Sequence, residues 1–218
     1  MEPSHCKIYE PIEIERITGE ILDRFYPNVI TIPIAIDTIV EKHPAIDSIG
    51  GLELLEDKFN VIGVTYWKEN GKFDIIIDED VLNYQKNRAN FSIAHEYAHI
   101  ELHLNLWKGC KEINHSIDMH KRISRCYNDI EKNADYFAGA ILIPRITLNQ
   151  HLPAHYRILT AKFGFASPDL IIDKLKTQLA NFYKVSVPAM EIRLKQLKFY
   201  RPIQQSVQYR LCDLDFTL

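Results

Sequence analysis

The run His95-Glu96-Tyr97-Ala98-His99 constrains this chain more than any other feature, because its spacing has chemical meaning only on a helix. Residues four apart lie on one face of an α-helix, about 6 Å along its axis. Two imidazoles placed this way can converge on one metal ion, and zinc typically takes nitrogen ligands at about 2.0–2.1 Å. Glu96, next to the first histidine, can then take a proton from an attacking water. With only 9 His among 218 residues, random placement would give about 0.03 matches to H-E-x-x-H. Accident is a poor explanation.

The surrounding residues predict that this helix is central. Phe91, His95, His99 and Leu102 recur at helical spacing, and Ile93, Tyr97, Ile100 and Leu104 line a second stripe. Ala94 and Ala98 keep a third side thin. Apolar positions on two sides imply burial within a domain, with Asn90 as the expected N-cap. A core helix with two hydrogen-bonded histidines is the plain alternative. It leaves Glu96 unexplained, because an unpaired buried carboxylate is costly. His103 continues the four-residue series, but on a straight helix it stands about 12 Å from His95, too far to share one tetrahedral ion. Its expected place is the core or behind a ligand.

A catalytic zinc needs a third protein ligand and an open position. The best candidate lies within residues 129–144, where Ile130, Ala134, Phe137 and Ile141 repeat as an amphipathic helix that Pro144 ends. Glu131 and Asp135 share one face of it. Glu131 can bind the metal while Asp135 accepts a hydrogen bond from the far nitrogen of a ligand histidine, which fixes the ring. The same spacing also suits a solvated Glu-Asp pair on an exposed face, and spacing alone does not choose.

Phe91-Ser92-Ile93-Ala94-His95-Glu96-Tyr97-Ala98-His99, followed by Glu131-x-x-Ala134-Asp135-x-Phe137-Ala138 and Leu142-Ile143-Pro144, resembles the ImmA/IrrE family of metallopeptidases. That family resembles thermolysin-type enzymes in pairing an H-E-x-x-H helix with a glutamate from a following helix. The resemblance implies zinc held by His95, His99 and Glu131, with Glu96 as general base and Asp135 behind a ligand. It covers roughly residues 32–197 and is strongest from 91 to 144. Tyr97 stands where the family often has a smaller or aliphatic residue, and the 109–128 connection is long for the family.

That connection holds Cys110, His115, His120 and Cys126, without the close C-x-x-C pairing of a structural zinc site. A surface loop or flap is the expectation, with His115 or His120 able to stabilise an oxyanion. Tyr127, Tyr136, His151, His155, Tyr156 and Arg157 are further candidates for that task.

The net charge of −3 and pI near 6.3 give no electrostatic footprint for nucleic acid. Four dispersed cysteines do not read as a disulfide framework. The first residues carry no apolar signal core, and no run approaches the roughly 20 apolar residues of a membrane span. A cytoplasmic protein without membrane contact is expected.

The element pattern predicts an α+β fold, with a small mixed or antiparallel sheet packed against helices and the H-E-x-x-H motif on a buried central helix. Helices are expected at 12–25 and 34–42, a break at Gly50-Gly51, and strands at 52–55, 61–67 and 73–77, the last two joined through Glu69-Asn70-Gly71. An irregular stretch at 145–167 precedes helices entered at Pro168 and Pro188. The expected domains are an N-terminal helical extension (1–30), a metallopeptidase domain (31–199) and a C-terminal tail (200–218) that is apolar enough to dock as a strand and to cover the cleft. An edge from 61–67 or 73–77 should flank the metal and pair with an extended peptide.

The functional expectation is a zinc endopeptidase that cuts a specific cytoplasmic protein, which the family resemblance suggests is often a transcriptional repressor. The alternative is a metal-binding regulatory module that holds a partner without cutting it; such a module has no need of Glu96.

Overall fold

Pro11 opens the first helix, where its missing N–H costs nothing, and Glu13 accepts from the Glu10 backbone N–H at 2.9 Å. This helix, α1 (Pro11–Phe25), buries Ile14, Thr18, Ile21 and Leu22 along one face. The computed structural model describes residues 7–52, 62–107, 127–164, 167–202 and 209–211. They divide into two compact units, Met1–Leu142 and Ile143–Leu218.

In the first unit, α1 is followed by α2 (Ile36–Glu41), β1 (Ile46–Leu52), β2 (Gly63–Trp67), β3 (Phe73–Asp78), α3 (Glu79–Tyr84), α4 (Lys86–Trp107) and α5 (Tyr127–Leu142). The three strands form one mixed sheet in the order β1-β3-β2, with β1 parallel and β2 antiparallel to β3. Gly71, at φ 81°, supplies the left-handed turn residue between β2 and β3. β3 is thus the centre of the sheet, and its Phe73, Ile75 and Ile77 are fully buried. Of the two strands expected to offer an edge, only β2 lies at one.

The motif helix α4 packs against β2, β3 and α5, and α5 in turn packs against α1. Buried positions surround α4: Ala89, Ile93, Ala94, Tyr97, Ala98 and Ile100 are all nearly inaccessible. This is the expected α+β architecture with the motif on a buried central helix. No helix among the described residues is long and apolar enough to cross a membrane.

Several local expectations differ from the fold. α4 begins at Lys86, so Asn90 lies inside the helix rather than capping it. Gly50-Gly51 does not break the chain but lies within β1. A Cβ on Gly51 would stand 3.2 Å from Leu82 and 3.7 Å from the Glu79 backbone, so glycine there lets the strand approach α3. The strand expected at 52–55 instead runs Ile46–Leu52, and residues 53–55 lie outside the described ones, as do Cys110, His115, His120 and Cys126.

The second unit contains α6 (Arg145–Phe163), α7 (Pro168–Tyr183), α8 (Val187–Gln196) and a short antiparallel pair, β4 (Tyr200–Pro202) and β5 (Tyr209–Leu211). The stretch expected to be irregular is the long helix α6, which continues through Pro153. Leu148 and Leu152 are fully buried, and their packing outweighs the backbone bond that proline removes. Arg193, itself fully buried, donates through Nε to the Ile143 carbonyl at 3.0 Å.

Candidate metal centre

The contact between α4 and α5 brings the two halves of the motif together. His95 and His99 are successive turns of α4, and Glu131 projects from the second turn of α5. His95 Nε2 lies 3.1 Å from Glu131 Oε2, and His99 Nε2 lies 3.5 Å from Glu131 Oε1. One donor atom from each of the three lies within 4.8 Å of the others. Ligands of a tetrahedral zinc stand about 3.4 Å apart, so small side-chain adjustments would close this set around one ion. Two imidazole nitrogens and a carboxylate suit zinc and other first-row divalent ions. The residues present fit the metal that the sequence implies.

Asp135 lies one turn beyond Glu131 on α5, with Oδ1 2.9 Å from His95 Nδ1. An ionised carboxylate only accepts, so Nδ1 donates to Asp135 and, without a metal, Nε2 donates to Glu131; in the neutral ring the Nε2 lone pair would face an ion instead. Burial opposes a positive charge on His95. The bonds to Asp135 and Glu131 and the charges of Glu96 and Glu131 override it, and without a cation its imidazole is held up at about 10. A metal bound there would have to displace that proton.

Glu96 faces another way. It is rotated by about 100° around α4 from His95 and points at β2. The residue is 5% exposed. The Thr65 hydroxyl donates to Glu96 Oε2 at 2.9 Å and stands 3.3 Å from the Glu96 main-chain oxygen. Two residues earlier on β2, a Cβ added to Gly63 would lie 3.0 Å from both Glu96 Cγ and Oε1. Sequence reasoning does not reach Thr65 or Gly63. A threonine and a glycine two apart in a strand are the only local trace, and which helix that strand packs against is set by tertiary structure.

The other candidates have different surroundings. His103 is buried, with its ring centroid 5.6 Å from that of His99 and its backbone out of helical range at φ −126°, ψ 22°. Burial, partly opposed by Glu131, lowers its imidazole to about 4, so it stays neutral. Tyr97 turns into the core, edge-on to both His43 and Phe137, and its hydroxyl donates to Glu101. An aromatic residue is accommodated at this motif position because it faces His43 and Phe137 rather than Glu131. The Tyr136 hydroxyl donates to Glu15 of α1 at 3.0 Å. His151, His155, Tyr156 and Arg157 belong to α6 in the second unit, where the His151 and His155 rings both lie tilted against Phe182.

α5 is also tied to the chain ahead of α1. Asn133, between Glu131 and Asp135, accepts from the Tyr9 N–H at 2.8 Å and donates to the Tyr9 carbonyl at 2.9 Å.

A family model described as Peptidase M78, IrrE N-terminal-like domain, matches residues 74–195, a span that contains His95, Glu96, His99, Glu131 and Asp135. A search of curated proteins returns no match.

Proposed function

The chain belongs to the M78 peptidase family, and from that premise we propose that it is a zinc-dependent endopeptidase. The observation that carries the reading is the convergence of His95, His99 and Glu131, with Glu96 held on the adjoining face of the same helix. His95, His99 and Glu131 would hold the ion, and Asp135 would keep the His95 ring in register. When bound, zinc supplies a Lewis acid that polarises the scissile carbonyl and makes water more acidic.

The remaining steps fall to the chain itself. Glu96 takes a proton from the attacking water and passes it to the amine nitrogen as the C–N bond breaks. Its burial keeps bulk water from competing for that proton. Among the described residues β2 pairs with β3 alone, so its other edge can take an extended substrate backbone beside Glu96. Such pairing gives affinity with little demand on side-chain sequence. The substrate we infer is a specific cytoplasmic protein, such as a transcriptional repressor, a choice supported by the family resemblance.

The test is co-expression with candidate repressors, comparing wild type with Glu96→Gln for zinc content and for cleavage. Both proteins should hold about one zinc per chain, and only wild type should cut. If wild type acts on its partner without cutting, and Glu96→Gln acts equally well, a metal-dependent binding module replaces the peptidase.

A further inference from the structure

We propose that Thr65 and Gly63 of β2 form a positioning cradle for the Glu96 carboxylate. Thr65 fixes its orientation through Oε2, and the missing side chain of Gly63 keeps room for Oε1. The proposal rests on the peptidase reading of Glu96.

A glutamate side chain has three rotatable bonds, and a proton acceptor works only when one oxygen points at its donor. Thr65 is fully buried and β-branched, so its χ1 is stiff and its hydroxyl has a set direction. It has one hydrogen to give. The carboxylate oxygen at 2.9 Å is the nearer and charged acceptor, against 3.3 Å to the main-chain oxygen. Holding Oε2 also sets where Oε1 stands.

Oε1 lies over Gly63. Any side chain there would meet Glu96 Cγ and Oε1 at 3.0 Å and Ile77 Cδ1 at 3.1 Å. Ile77 is fully buried in the central strand, so the carboxylate is the group that would move. Gly63 and Thr65 are i and i+2 of one strand and face the same side of the sheet. One strand face thus brackets both carboxylate oxygens.

A Thr65 that merely satisfies a buried acceptor would affect folding alone, so the test reads the carboxylate directly. The full-length, zinc-loaded chain is prepared as wild type, Thr65→Val, Thr65→Ser, Gly63→Ala and Glu96→Gln. The probe is acetohydroxamate, which chelates zinc through two oxygens while its hydroxyl proton passes to a neighbouring carboxylate. Calorimetry gives its affinity, and cleavage of the repressor identified by co-expression gives kcat and KM. Thr65→Val and Gly63→Ala should retain zinc yet bind acetohydroxamate about ten-fold more weakly, with kcat reduced and KM little changed. Thr65→Ser, which keeps the hydroxyl, should stay within about two-fold of wild type.

Wild-type probe affinity and kcat in Thr65→Val would overturn the proposal, as would equal losses in Thr65→Ser and Thr65→Val. If Glu96→Gln binds the probe and cuts like wild type, Glu96 is not the general base and the cradle fails with it; if wild type itself does not cut, the peptidase reading fails instead.

Discussion

Replacing Asp135 tests whether its pairing with His95 belongs to a metal site or is an ordinary surface ion pair. Loss of a carboxylate behind a ligand histidine typically costs 10–100-fold in metal affinity. Here the Asp135 side chain is 58% exposed and that of His95 only 18%, so solvent screens the carboxylate. The low end, about ten-fold or ~1.4 kcal/mol, is the expected loss for Asp135→Ala. Asp135→Asn keeps an oxygen acceptor for Nδ1–H without the charge and should lose less. Protons complicate the measurement in a useful way. The carboxylates that orient His95 also hold its imidazole up at about 10 in the absence of metal, so zinc must displace a proton at neutral pH. Wild-type apparent affinity should climb about ten-fold per unit from about pH 6.5 to about pH 8.5. In Asp135→Ala the imidazole releases its proton more readily, so that slope flattens, and the lost proton competition offsets the intrinsic deficit of about ten-fold until the pH exceeds about 10. Competition against a chromophoric zinc chelator across this range measures both quantities. An Asp135→Ala protein within about two-fold of wild type at the alkaline end, with the same slope, would refute the reasoning.

Two further outcomes follow from the packing around α4. Burial opposes the charge of Glu101, but its bonds with His43 and Tyr97 outweigh this and hold its carboxyl below the usual 4.5. A folded value below the unfolded one contributes stability that is present above 4.5 and lost as pH falls through the lower folded value. Urea unfolding across that acid range should show a smaller loss in Glu101→Gln than in wild type; equal losses would count against the network. Phe137 is fully buried and edge-on to Tyr97 at the α4–α5 contact. Phe137→Ala should cost ~3–5 kcal/mol in urea unfolding and weaken zinc binding as well, and a loss under about 1 kcal/mol would show that the two helices are held elsewhere.

What the sequence makes legible here is what rests on short-range signals. The H-E-x-x-H spacing, the Ile130–Ala134–Phe137–Ile141 repeat and the Asn70-Gly71 turn each encode a local geometry, and each corresponds to an element of the fold. Glu131 and Asp135 fall on a single helix face, so their common direction is readable, but their approach to His95 depends on how α5 packs on α4. Misreadings arise where packing overrules a local breaker. Gly50-Gly51 stays in β1 because β3 pairs with it, and Pro153 stays in α6 because Leu148 and Leu152 are buried beside it. Thr65 is 31 residues from Glu96 along the chain, and no periodicity marks a contact of that kind.

β3 takes both of its neighbours, β1 and β2, from residues ahead of the family-matched span 74–195. A fragment cut to that span would keep every proposed metal ligand and the general base, yet it would leave β3 with unpaired N–H and C=O groups along both sides. Such edges recruit other strands and drive aggregation. α5 would also lose the cover of α1 and the Tyr9 clamp at Asn133. The stretch that similarity marks out is therefore shorter than the stretch that can fold, and an expression fragment intended to carry this centre has to retain the N-terminal segment as well.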